Sequence, residues 1–432
     1  MQFTTYLRDR AWTPLLGYGL FIALMVAGYY YNITFVQLGL IDLGTRLVGL
    51  SAAAVSMWMA ALALLTLVAA VITGVVMDRR GWGTDLYLKL RLLWLVVALQ
   101  FVLTLWAPGI RSVPAFGAWI VLGGLGLGVG FPVSFSLAAD LIPVPDRGPV
   151  AAVATAVTYF AANAYPLDWS IKVFSDVLLV AMLPGLLVLG VLAAGRIDCL
   201  DRVVTQLGTQ HQRFGRGRFC HPTPVRTRSL AFLVPLVLMF GVFFVDSLGF
   251  LRIIDTPALV LSSWQSPELS TRLGIAVAHV LGAAIAGILY VNFDLEWVFV
   301  WIFALFALTH ILYTTDLRIA ELLPGFAGGN SPLNAAMYAV AVSFYTTLNF
   351  ALWPDLATTD TIGTHTAIGV GVAGWLATFL STAVALFLQQ AEVTLLTHLN
   401  LVNALALLLL FGLIAGLYVQ RLLAVAREAP TP

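Results

Sequence analysis

The chain has 432 residues, of which 60% are hydrophobic and 10% charged, with a formal net charge of +1. A soluble domain carries about a quarter charged residues, and a folded chain of this size still needs a polar shell over its core. These proportions exclude a soluble enzyme, a disordered chain and a nucleic-acid partner, for which there is no basic patch with interleaved aromatics. They describe a polytopic membrane protein.

A bilayer core takes about 20 consecutive apolar residues per helix. Twelve such runs occur, near 13–38, 48–76, 85–106, 115–139, 150–167, 174–195, 229–251, 272–292, 296–314, 333–353, 366–388 and 393–420. They are continuous, without the alternation of barrel strands, so the expected fold is all-α with twelve transmembrane helices. The first run follows Arg8 and Arg10 but is too long for a signal h-region and has no small-x-small site after it, so it reads as the first span. The fifth is the shortest, punctuated by Pro149 and by Tyr165-Pro166.

Arg and Lys set the orientation. With both termini inside a cell membrane, the outer loops hold Arg46, Arg111, Lys172, Arg252, Arg272 and Arg318, and the other sixteen of the 22 basic residues are inside. Segment 196–228 is the longest polar stretch and reads as a cytoplasmic linker between an N-terminal six-helix bundle, 1–195, and a C-terminal one, 229–432. Cys199 and Cys220 both lie in it, where no disulfide is expected. With His211 and His221 they lack zinc-ligand spacing, so no metal site is expected.

The two halves echo each other. Asp140-Leu141, then Gly148, is matched by Asp355-Leu356, then Gly363, at an offset of 215 residues. A duplicated six-helix transporter carries repeats of this kind. The loop after the second span reads Gly74-Val75-Val76-Met77-Asp78-Arg79-Arg80-Gly81, and the loop after the fourth runs from Asp140 through Pro143 and Pro145 to Arg147-Gly148. The first resembles the G-x-x-x-D-R-x-G signature of the major facilitator superfamily, and the second is similar to that superfamily's acidic-Pro…Arg-Gly stretch. The resemblance implies two pseudo-symmetric bundles rocking about a central cavity. It also implies an inner-face latch built from Gly74, Asp78, Arg79, Gly81, Asp140 and Arg147. Asp78 could accept hydrogen bonds from a neighbouring helix N-terminus, or pair with Arg147. The departures are Trp82-Gly83-Thr84 where more basic residues usually follow, and a second-half copy reduced to Gly287, Asn292 and Asp294. The fourth and fifth spans also lack the Arg and the Gly-Pro pattern of the superfamily's drug–proton antiporters.

Ionisable groups inside a membrane are functional candidates by default, and Asp246 in the seventh span is the clearest. It lies roughly 25 Å along the helix from the inner end, at about 1.5 Å per residue, which predicts an outer-third position. It reads as a proton or cation site, as the anchor for a cationic substrate group, or as an interfacial carboxylate touching Arg252 or water. His279 and His310 lie within spans, while His365 and His398 are expected to be wet at span ends. Polar residues four apart share a helix face: Thr155, Tyr159 and Asn163 in the fifth span, and Tyr345, Asn349 and Trp353 in the tenth. Tyr29 and Asn32 add a pair in the first. The resemblance places these spans at the cavity; the alternative is interhelical hydrogen bonding. The glycines 124, 126, 128 and 130, and those at 369, 371 and 374, read as points of close helix approach or bending, and Gly412-x-x-x-Gly416 as a helix contact or a dimer seam.

No nucleotide loop or nucleophile constellation occurs, so neither enzyme activity nor a cofactor is expected. The expectation is a monomeric secondary transporter or facilitator moving a neutral or amphipathic small-molecule substrate across the lipid bilayer, with a proton or cation as candidate co-substrate. The alternative is a transporter-shaped protein that binds a lipid or pigment or assists membrane-complex assembly, as a branch of the resembled superfamily serves bacteriochlorophyll complexes.

Overall fold

In a computed structural model, the residues described are 2–9, 12–164, 170–195, 197–205, 225–254, 256, 259, 266–323 and 331–428. Of the linker, Arg196 and 206–224 lie outside them, and with them Cys220, His211 and His221. The described residues form short helices at Gln2–Arg8 and 198–205 and twelve long ones. These are α1 Pro14–Leu47, α2 Ala52–Arg80, α3 Leu86–Trp106, α4 Val113–Leu141, α5 Arg147–Ala164 and α6 Ile171–Ala194. After the linker come α7 Leu230–Ile254, α8 Leu269–Asn292, α9 Leu295–Leu322, α10 Pro332–Asp355, α11 Ile362–Gln390 and α12 Leu395–Glu428. Eleven are long and apolar enough to cross a membrane. The exception is α5, whose apolar run is diluted by Thr155, Thr158, Tyr159 and Asn163.

Local chemistry explains many helix ends. Ser51 Oγ accepts from Ala54 N at 3.2 Å, Asp85 Oδ1 from Leu88 N at 3.0 Å and Ser170 Oγ from Val173 N at 3.3 Å, which satisfies otherwise orphaned N–H groups. Gly81 closes α2 with φ +69°, a left-handed turn that a side chain would oppose. One boundary departs from the apolar count. The first span runs to Leu47, not to 38, because its backbone widens into π-helical turns at Asn32–Gly39 and Leu43–Leu47. There Arg46 and Asp42 pair with each other at 2.7 and 2.8 Å, so the charges that ended the apolar run do not end the helix.

Burial separates centre from rim. Of the most apolar stretch of each helix, 83% is buried in α10 against 17% in α6 and 11% in α12, so α6 and α12 are peripheral. Glycines set the close packing of α4: a Cβ at Gly128 would strike Ala69 of α2, and at Gly130 it would stand 3.2 Å from Val96 of α3. The pair in α12 behaves differently. Among the described residues, nothing stands within 4 Å of a Cβ at Gly412 or Gly416.

The two halves of the chain meet along two antiparallel helix pairs, α2 with α11 and α5 with α8. Each is drawn close by glycine. A Cβ at Gly74 would run into the Gly363 carbonyl, and one at Gly287 would stand 2.8 Å from the Ala152 methyl.

Candidate functional site

Where α1, α5, α7, α8 and α10 converge, polar groups gather inside an apolar surround. Tyr338 and Tyr345 are seven residues apart on α10, two helical turns, and so face the same way. Both donate to Asp246 of α7, Tyr345 to Oδ2 at 2.7 Å and Tyr338 to Oδ1. A carboxylate 7% exposed in such surroundings requires partners of this kind. Arg252 does not supply one: its Nη2 donates to the Val393 carbonyl at 3.0 Å. Asp246 is thus buried among the helices and held by two tyrosines.

A second cluster bridges the halves. The hydroxyls of Tyr29 (α1) and Tyr159 (α5) are 3.1 Å apart, and Thr346 of α10 stands 3.2 Å from Tyr159 and 3.5 Å from Tyr29. The Tyr159 ring stacks on His279 of α8 with centroids 4.3 Å apart, and His279 Nδ1 is 2.8 Å from Ser343 Oγ. Asn163, 1% exposed, donates to the Tyr159 carbonyl at 2.7 Å, and its Oδ1 has no partner among the described residues.

These groups border two adjoining chambers. The first, about 110 Å³, has Tyr29, Tyr159, Asn163, Asp246, His279 and Tyr345 in its wall. The second, about 450 Å³, lies chiefly among α1, α3, α4 and α6, with Phe243 of α7, Asn349 of α10 and Trp375 of α11 completing its wall from the other half. Tyr29, Ile33, Phe243 and Thr378 belong to both walls. Two residues placed at the cavity by spacing line neither chamber. Thr155 is buried, and the Trp353 ring packs on Gly369 while its Nε1 donates to Asn349 Oδ1 at 2.8 Å. A row of residues four apart drifts by about 40° per step on a helix of 3.6 residues per turn. A stripe of three therefore leaves the face where it began.

One end of the molecule, the face carrying the linker, is closed by a separate set of bonds. Asp78 Oδ1 and Oδ2 accept from the N–H groups of Gly363 and Thr364, each at 2.8 Å, so Asp78 caps α11 across the halves instead of pairing with Arg147. The first N–H groups of a helix and its dipole favour such an anion. Arg147 instead donates to Asp355 Oδ1 at 2.7 Å, and Tyr290 donates to Asp355 Oδ2 at 2.7 Å. Asp140 pairs with Lys89 inside the first half and does not bridge; its repeat counterpart Asp355 does. Arg79 is exposed and takes no part in these bonds, and Gly81 serves only to end α2. His365 and His398, expected wet, are 1% and 0% exposed and stand 2.9 and 2.7 Å from the carbonyls of Val225 and Leu248.

Spacing missed several of these residues. Tyr338 could have been found by extending the α10 stripe two turns back from Tyr345. Asp355 was marked by the 215-residue repeat. Tyr290 and Lys89 carried no signal, since their partners come from distant helices.

No protein-family model and no curated protein sequence matches the chain. Solved structures do. The proton:xylose symporter XylE of the major facilitator superfamily, bound to 6-bromo-6-deoxy-D-glucose, superposes with a TM-score of 0.62 at 16% identity, over 92% of this chain and 94% of that one. XylE from E. coli in a partially occluded inward-open conformation gives 0.58 at 14%, over 96% and 99%. The human organic anion transporter MFSD10 gives 0.57 at 16%, over 93% and 99%. The chain is a multi-pass membrane protein with the major facilitator superfamily fold.

Proposed function

We propose that the chain is a secondary transporter that moves a neutral or amphipathic small solute by alternating access, with 1–195 rocking against 229–432. The observation that carries this reading is the placement of Asp246, Tyr338 and Tyr345 beside a chamber that both halves line, with a distinct set of bonds closing one face. A site shared by two halves, with a breakable closure on one side, is what alternating access requires. The similar folds include a proton:xylose symporter and an organic anion transporter. An organic anion suits this chain less well, because the described residues lining the two chambers include no Arg or Lys.

In this mechanism the chamber is reached from the far face while Asp78 holds α11 and Arg147 holds Asp355. Opening the linker face requires both contacts to part, and the glycine-lined α2–α11 and α5–α8 surfaces separate there. Asp246 is the candidate site for a coupling proton or cation. The linker face is assigned to the cytoplasm by the distribution of basic residues, in a cell membrane.

Uptake into proteoliposomes over a panel of sugars, amino acids and amphipathic cations, with and without a proton gradient, tests the reading. Concentrative uptake of at least one solute, abolished in Asp246→Asn, is the expected result. Failure with every solute would instead favour a protein that binds a lipid or pigment without moving it, a second reading for which the apolar second chamber speaks.

A further inference from the structure

The chemistry of the two chambers is unequal. In the first, the tyrosines nearest the carboxylate already have protein partners. The Tyr338 and Tyr345 hydroxyls are committed to Asp246, and those of Tyr29, Tyr159 and Thr346 to one another. Asp246 and the unpartnered Oδ1 of Asn163 offer acceptors, and the hydroxyl-bearing Ser247, Tyr313 and Thr378 also line the wall. Around them stand the aromatic side chains of Tyr159, Tyr313, Tyr338, Tyr345, Phe243 and Phe250. A polyol would leave the buried carboxylate without a counter-charge, and an anion would be repelled by it. A compact cation meets a counter-charge and an aromatic wall, the combination that recognises quaternary ammonium groups. At about 110 Å³ the chamber has room for a head group and little more.

The second chamber is four times larger in free space, about 450 Å³, and mostly apolar. One side of its wall is loosely packed. The outer helix α6 packs along α3 and touches α1 at Asn32–Gly39, whereas its turns nearer the linker face make few contacts with the Pro14–Tyr31 part of α1, a gap that the chamber borders. The exposed lining residues on its two sides are Ala23 and Ala27 on α1 and Val177, Ala181, Gly185 and Val188 on α6. A Cβ at Gly28 or Gly185 would meet nothing within 4 Å, so these glycines do not serve close packing. The gap lies in the half of the span nearer the linker face, since Tyr18, just before it on α1, donates to Asp146 at 2.6 Å.

We propose that the two chambers form one binding site for an amphipathic monocation, its ammonium head beside Asp246 and its alkyl chain in the second chamber, entering from the bilayer between α1 and α6. This rests on the solute-binding reading of the central cavity and names its substrate class. The chain is transferred from lipid to an apolar protein wall, so affinity comes chiefly from the head, and the chain contributes by fit and by the high local concentration of such molecules in the membrane.

The test is equilibrium binding to the full chain in lipid nanodiscs. The probes are tetradecyltrimethylammonium, tetramethylammonium, tetradecanol and tetradecyl sulfate. The long-chain cation is expected to bind at least roughly tenfold more tightly than each of the others, or about 1.4 kcal/mol. Asp246→Asn should erase the preference over tetradecanol. Gly185→Trp and Ala181→Trp, each placed at the window, should weaken the long-chain cation by roughly tenfold and leave tetramethylammonium and the melting temperature unchanged. Equal binding of tetradecyl sulfate or tetradecanol by the native protein would overturn the proposal. So would unaltered long-chain binding in both tryptophan variants. Binding without uptake in proteoliposomes would support this site while removing the transporter reading. Uptake of an unrelated solute, with no binding of the long-chain cation, would do the reverse.

Discussion

Arg147 and Asp355 are 2% and 0% exposed at their side chains and 2.7 Å apart, so each is the other's main compensation for leaving water. Removing one partner of such a pair costs about 3–5 kcal/mol, because a buried charge is left behind, while replacing both by apolar groups of similar volume can be neutral. Arg147→Ala should therefore lower the thermal midpoint in detergent far more than the double change Arg147→Met with Asp355→Leu. Equal losses would mean that the pair acts through packing alone. Asp78→Ala leaves two N–H groups of α11 without an acceptor and should cost about 1.5–3 kcal/mol, the range for hydrogen bonds to a charged group. The same melt measures it. At this scale the sequence was informative about identity and poor about partners. Asp246 was conspicuous as a carboxylate in an apolar run, but Tyr338 and Tyr345 come from a helix some ninety residues later. Asp78 was marked by its motif, yet whether it meets Arg147 or a helix terminus depends on where α11 begins.

Helix by helix, nearly all twelve elements were legible from apolar runs, since a membrane segment must satisfy its own backbone and be apolar outside. Their ends were less so. The π-helical continuation of α1 to Leu47 has no compositional mark, and the polar α5 nearly escapes an apolar count because half its surface faces protein. Glycines show the same limit. Those of α4 and of Gly412 and Gly416 look alike in sequence, yet Gly128 is pressed against Ala69 and Gly412 meets open space. Gly128→Leu should accordingly destabilise by about 1–3 kcal/mol through overpacking. Gly412→Leu should stay within roughly 0.5 kcal/mol, as surface changes do. A melt comparison of the two variants checks this, and similar losses would place an unseen partner on α12.

Across the whole molecule, the closure of the linker face is the feature that a moving transporter would have to undo. A Cβ at Gly363 would stand 2.5 Å from the Gly74 carbonyl oxygen and 2.9 Å from the Met77 Cβ, so no side chain fits there while this face is closed. Gly363→Leu should therefore part α2 from α11, read as faster alkylation of a cysteine placed at Met77. On the proposed mechanism a chain that cannot close the linker face should lose concentrative uptake. Uptake that continues at the native rate in Gly363→Leu would exclude rocking at this contact.

What the sequence determined by itself was the membrane location, the number and order of helices, the repeat and the loop motif. Each is set by local composition or by spacing along one chain. Tertiary structure decided which helices touch, and hence that Asp355 rather than Asp140 bridges the halves, that Asp246 is held by two tyrosines, and that the cavity divides into an aromatic chamber and an apolar one. The physical reason is that lipid asks the same of every helix, an apolar exterior. The contacts between helices rest on shape and on a few polar pairs, and these are fixed only when residues hundreds of positions apart are brought together.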